Sequence, residues 1–265
     1  MLASVDALAD AAARRFVAAA GAAIGARGEF IVALAGGSTP RSTYDRLAEP
    51  QYSSSVDWPR VQVLWGDERC VNPESPKSNY AMAREALLDH VRVRKENVHR
   101  IHGEDDPAAE AIAYEQVVRG VLKTPAGAPR RANGARIDLV LLGLGEDGHT
   151  ASLFPASTVA GGGERGLNAL GNGAHRAVAS GGGDARWVEA VFARATAMWR
   201  VTLTPVVINA AAEVVFIVSG DAKAAIVRRV LDGPRVPHEL PAQLIAPAAG
   251  RVRWLLDAAA AAALS

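Results

Sequence analysis

The sequence predicts an α/β fold: a Rossmann-like, open and mostly parallel sheet with helices on both faces. From Glu29 onward, short apolar runs that end in glycine or a turn alternate with stretches of helical spacing, the pattern of a parallel sheet with crossover helices. The apolar runs lack strict alternation, as expected of strands covered on both faces. A length of 265 residues with 49% apolar and 22% charged content suits one large core.

The chain opens on an amphipathic helix in which Val5, Leu8, Ala12 and Phe16 recur at helical spacing. Arg14 and Arg15 raise the question of a transit peptide, but Asp6 and Asp10 precede them and no small-residue cleavage site follows an apolar core. Strands are predicted at 30–35, 61–65, 137–144, 214–219 and 251–256, with helices between them at 40–47, 79–90, 107–122 and 221–231. Residues 156–186 break the pattern. They hold Gly161-Gly162-Gly163 and Gly181-Gly182-Gly183 with few large apolar side chains, so a mobile loop is expected. The strands after it are too few for a separate core, and residues 1–265 are expected to form a single domain.

Twenty-nine Lys and Arg against 28 Asp and Glu leave a net charge of +1, which offers no global field for nucleic acid or an anionic membrane. No apolar stretch reaches the roughly 18–20 residues needed to span a bilayer. The single cysteine, Cys70, excludes an internal disulfide and a cysteine-rich zinc site, and fits a reducing, cytoplasmic setting. Neither a nucleic-acid nor a membrane partner is expected.

In an open parallel sheet, ligands bind at the carboxyl ends of the strands, and three such loops are chemically dense. In Ala35-Gly36-Gly37-Ser38-Thr39-Pro40, glycines permit a sharp turn and close approach, hydroxyls are added, and Pro40 suits the first position of a helix whose free N–H groups face outward. That is an anion cradle, or simply a tight turn. In Gly66-Asp67-Glu68-Arg69, Asp67 could accept a sugar hydroxyl and Arg69 could pair with a phosphate or a developing oxyanion; a solvated turn is the plainer alternative. In Gly145-Glu146-Asp147-Gly148-His149, a histidine at a buried strand end is a base where water can be held, and Asp147 can orient it.

The other histidines, His90, His99, His102, His175 and His238, have no accompanying chemistry. Two cations complete the set. Arg200 lies in Trp199-Arg200-Val201-Thr202, and Lys223 sits in the first turn of a predicted helix, where a cation opposes the helix dipole unless an anionic ligand is present.

These segments resemble the 6-phosphogluconolactonase family, within the larger group that includes glucosamine-6-phosphate deaminase. The resemblance is carried by residues 35–40, by 66–69 with Ser78-Asn79, by 143–155, and by 200–204 with Asn209-Ala210-Ala211. It implies that the backbone of Gly36, Gly37, Ser38 and Thr39, with Arg200 and Lys223, binds a substrate phosphate, and that Asp67, Arg69, Asp147 and His149 form the catalytic group. The implied reaction is hydrolysis of 6-phosphogluconolactone to 6-phosphogluconate in the oxidative pentose phosphate route. Neither metal nor organic cofactor is implied, the partner is the small phosphorylated lactone, and a monomer or weak homodimer is expected. A lactone is already an activated ester, so one base, one water and support for the oxyanion suffice.

The chain departs from the family at Cys70, where an aromatic residue is common, at Asn72, in place of proline, and at Ala156, in place of glycine. An amino-sugar phosphate deaminase or isomerase is the nearest alternative. Such enzymes resemble one another in a glutamate five positions beyond the histidine and a tyrosine after Asp-Glu, where this chain has Phe154 and Arg69. A sensor that binds sugar phosphates without catalysis is the alternative from another class.

Overall fold

The computed structural model describes residues 1–122, 136–156 and 186–264. Helix α1 (Val5–Arg27) begins where the Ser4 side chain accepts the Ala7 N–H and ends at Gly28, whose φ of +82° turns the chain out of the helix. Strand β1 (Phe30–Leu34) follows, then α2 (Ser38–Ala48), the short α3 (Pro50–Ser53), β2 (Val61–Trp65), β3 (Asp67–Arg69), α4 (Asn79–Ala86) and α5 (Pro107–Leu122). The remaining elements are β4 (Leu139–Leu142), β5 (Val188–Ala193), β6 (Met198–Leu203), α6 (Pro205–Asn209), β7 (Glu213–Val218), α7 (Ala224–Leu231) and β8 (Arg251–Leu256).

Five strands pair in the order β2-β1-β4-β7-β8, all parallel. Every residue of β1, β4 and β7 is buried, as the unbroken apolar runs predict for strands covered on both faces. The edge strand β8 is different: Arg251, Val252 and Arg253 are exposed, and charged side chains there discourage pairing with another strand. Glu213 of β7 accepts from Arg15 of α1 and from Arg253 of β8 at 2.9 Å, so one buried carboxylate ties helix and edge strand together. Successive connections run to opposite sides of β1, which puts the switch point between β1 and β4. Their carboxyl ends are where a ligand crevice is expected.

A second sheet, antiparallel in the order β3-β6-β5, has no counterpart in the sequence prediction. Gly66 joins the two sheets: its N–H donates to Leu34 of β1 and its carbonyl accepts from Leu203 of β6. Other boundaries shift. The helix expected over 79–90 stops at Ala86 and resumes as a 3₁₀ turn at Leu88–His90, and the one over 221–231 opens as a 3₁₀ turn at Asp221–Lys223. Residues 157–185 of the glycine-rich segment, with His175, lie outside the described residues. Among the described residues, no helix is long and apolar enough to cross a membrane.

Candidate active site

A cleft of about 260 Å³ opens over the carboxyl ends of the parallel strands. It is lined by Gly36, Gly37, Ser38, Thr39, Asp67, Arg69, His149, Arg200 and Lys223, which are drawn from both sheets. Asp147, the remaining predicted residue, stands behind the imidazole.

The glycine turn is built as an open helix start. Gly37 has a φ of +106°, α2 begins at Ser38, and no side chain caps that end. The first helical bond runs from Arg41 N–H to Gly37 at 3.1 Å, which leaves the Ser38 and Thr39 N–H groups free for an anion. Pro40 occupies the third helical position rather than the first, still within the turn where a missing N–H costs nothing. Thr39 Oγ1 lies 2.7 Å from Ser219 Oγ, so the cradle leans on the end of β7. There Gly220 turns with a φ of +94° and donates its N–H to the buried Asp257 carboxylate at 3.1 Å. That turn delivers Lys223, whose Nζ is 3.7 Å from Glu146.

The histidine sits on a tight turn closed by Gly145 N–H to the His149 carbonyl at 2.8 Å, with Gly148 at a φ of +86°. A Cβ at position 145 would stand 2.0 Å from His149 Nδ1, so only glycine lets the ring lie there. Nδ1 is 2.5 Å from Asp147 Oδ1, which also accepts the His149 backbone N–H at 3.0 Å. A proton shared with Asp147 on Nδ1 leaves the Nε2 lone pair free to accept another. Burial pushes the Asp147 carboxyl up, but the hydrogen bond and charge of His149 together outweigh it and hold the group below the usual carboxylate range. The Phe154 ring flanks the imidazole at 4.8 Å.

The second sheet supplies the arginines. Antiparallel register sets Arg69 directly opposite Arg200 and Asp67 opposite Thr202. Arg69 Nη1 donates to the Lys77 carbonyl at 2.6 Å, and Arg200 Nη1 lies 3.7 Å from Asp67. Burial pulls Arg200 below its ordinary pKa, Asp67 raises it and Arg69 lowers it; a guanidinium stays charged throughout. Among the described residues, the buried polar atoms lacking a hydrogen-bond partner include Nε of Arg69, Nε of Arg200 and Asn79 Oδ1, all on cleft-lining residues. The two guanidinium groups nonetheless belong to residues that line the cleft, and a guanidinium fork is suited to an anionic ligand.

Asp67 is less free than the sequence suggests. Its Oδ2 accepts from Ser152 Oγ at 2.6 Å and its Oδ1 from Asn79 Nδ2 at 3.3 Å, so both oxygens are engaged by protein. Glu68 points away from the cleft and accepts from the backbone of Arg69, Asn79 and Tyr80 and from Ser78 Oγ. Burial raises its pKa more than those bonds lower it. The spacing of Asp-Glu-Arg from Ser-Asn thus encodes a carboxylate folded back over the start of α4. Asn79, Ser152 and Ser219 gained no role from sequence reasoning, although Ser78-Asn79 and Ser152 stand in segments that carry the family resemblance. Away from the cleft, His102, Asp105 and Glu110 bring one donor atom each within 4.8 Å of one another. Glu110 is already committed to the His102 N–H at 2.7 Å.

Comparison with known proteins places the chain in a family. The sequence profile of the glucosamine-6-phosphate isomerases/6-phosphogluconolactonase family matches residues 3–254. A 6-phosphogluconolactonase of Nostoc sp. is 36% identical over 92% of this chain and 88% of its own, and one of Haemophilus influenzae is 32% identical over 86% and 85%. A solved 6-phosphogluconolactonase from Trypanosoma cruzi superposes with a TM-score of 0.77 at 26% identity, over 100% of this chain and 96% of that one. A monomeric glucosamine-6-phosphate deaminase shares the fold, with a TM-score of 0.74 at 19% identity. With a profile match across nearly its whole length and relatives above 30% identity over most of both sequences, the chain belongs to the glucosamine-6-phosphate isomerase/6-phosphogluconolactonase family.

Proposed function

We propose that this chain is a carboxylic ester hydrolase that opens 6-phospho-D-glucono-1,5-lactone to 6-phosphogluconate, with His149 as the general base that activates water. The observation that carries the reading is the shared cleft: a carboxylate-held imidazole at one part of it, and free helix N–H groups with Lys223 at another. The phosphate seats on Gly36, Gly37, Ser38 and Thr39 with Lys223 and Arg200, which fixes the ring against His149. Remote binding energy of this kind is useful because it orients the reacting carbon.

His149 Nε2 takes a proton from water as its oxygen adds to the lactone C1, and the carbonyl electron pair moves onto oxygen beside Arg69. Collapse of that oxyanion breaks the bond from C1 to the ring oxygen, and the imidazolium returns its proton to the departing oxygen, now the C5 hydroxyl. Water is the only co-reactant. Asp147 holds the imidazole and balances its charge; Asp67 acts through Arg200 and the surrounding network. Phe154 packs beside His149 where the deaminase pattern has glutamate, so a second acid for proton transfer between carbons is missing at that position. A single domain, working in the cytoplasm as a monomer or weak homodimer on the free lactone, completes the reading.

The test is lactone disappearance with and without the protein, because this substrate also hydrolyses unaided, with ammonia release from glucosamine 6-phosphate followed in parallel. Accelerated lactone loss without ammonia is the expected result. A lactone rate equal to the unaided one overturns the reading.

A further inference from the structure

Asn79 is almost completely buried at the first position of α4, and its backbone N–H is fixed by Glu68 Oε1 at 2.7 Å. From that anchored position its carboxamide reaches two parts of the cleft at once. Nδ2 donates to the Asp67 carbonyl at 2.8 Å and to its carboxylate at 3.3 Å. Oδ1 has no conventional partner and lies against Gly36, where an added Cβ would stand 1.8 Å from it. Gly36 therefore presents a Cα–H to that oxygen, a weak contact that exists only while the residue has no side chain. On its other side Asp67 accepts from Ser152 Oγ at 2.6 Å, and Ser152 lies three residues beyond His149.

We propose that Asn79 is a positioning residue that sets the spacing between the phosphate cradle and the histidine turn, through the chain Gly36, Asn79, Asp67, Ser152. The inference rests on the lactonase reading above. A substrate held at its phosphate and attacked at its carbonyl senses that spacing, whereas a lactone without phosphate engages the catalytic end alone. Asn79 thereby controls the preference for phosphorylated over unphosphorylated lactone without touching either.

The experiment compares kcat/KM for 6-phosphogluconolactone and for glucono-1,5-lactone in the wild type, Asn79→Ala, Gly36→Ala and the double variant. Each single variant is expected to lower the preference about 10- to 100-fold, since a misplacement of about 1 Å costs on the order of 10²-fold. The double variant is expected to be no worse than the poorer single, because removing the carboxamide makes room for the new Cβ. An unchanged preference in Asn79→Ala, or losses that multiply in the double, overturns the proposal. Thermal unfolding covers variants too unstable to assay: the double should melt above Gly36→Ala alone, and melting below it contradicts the contact. A wild type that leaves both lactones untouched would sink the lactonase reading instead, and the melting comparison would still judge the contact.

Discussion

The two sheets serve one cleft by opposite means. The parallel sheet contributes the cradle, the histidine turn and the lysine turn, each from a contiguous strand-turn unit whose strand is wholly buried. The antiparallel sheet contributes Asp67, Arg69 and Arg200 by pairing segments far apart in the chain, in a sheet that also carries the exposed Phe192 and Trp199. General-base chemistry depends on direction as well as distance, and it rests on the rigid, buried strand ends. A cation acts over a range of distances and tolerates the smaller sheet. The difference predicts that changes at the histidine turn act on kcat and changes at the phosphate-binding cations, Arg200 and Lys223, act on KM.

That division is tested hardest by His149→Ala, which should lower kcat about 10²- to 10⁴-fold with KM within a few-fold of wild type in steady-state assays. Equal activity would remove the base assignment. Gly145→Ala comes next: its Cβ meets the ring at 2.0 Å, so kcat should fall on the order of 10²-fold although every catalytic side chain is retained. Normal turnover in that variant would mean the ring orientation is unimportant. Lys223→Ala should raise KM about 10- to 100-fold, the equivalent of one charge-assisted hydrogen bond of about 1.5–3 kcal/mol, and leave unphosphorylated lactone unaffected. A kcat effect of that size would blur the division.

The smallest expected effect concerns acid stability. Asp147 is shifted up by burial but further down by its hydrogen bond to His149 and that group's charge, so its folded pKa lies below the unfolded one. Such a carboxylate adds stability above its unfolded pKa and loses it as pH falls through the folded value. Because the group is half exposed, the contribution is small. Asp147→Asn should slightly narrow the drop in melting temperature between about pH 7 and about pH 3; an identical drop in both proteins would contradict the shift.

What could be read from the sequence follows the same division. Strands β1, β2, β4 and β7 announce themselves as apolar runs, and the loops beyond them carry glycine, histidine and lysine in local patterns. Strand β3 is Asp-Glu-Arg: three polar residues without periodicity, made into a strand by pairing with β6 across a long stretch of chain. The same non-locality hid Glu68 as the acceptor for the first N–H groups of α4 and Asn79 as a neighbour of Gly36, since both depend on two loops meeting. Arg200 was legible as a cation, but its place opposite Arg69 was not.

The central claim is that one cleft holds phosphate and lactone carbonyl at once, between the cradle and His149. A crystal structure with 6-phosphogluconate bound tests it most directly. The phosphate should lie on the Ser38 and Thr39 N–H groups beside Lys223, with the C1 carboxylate within about 3 Å of His149 Nε2. A product bound the other way round, or outside this cleft, would contradict the account.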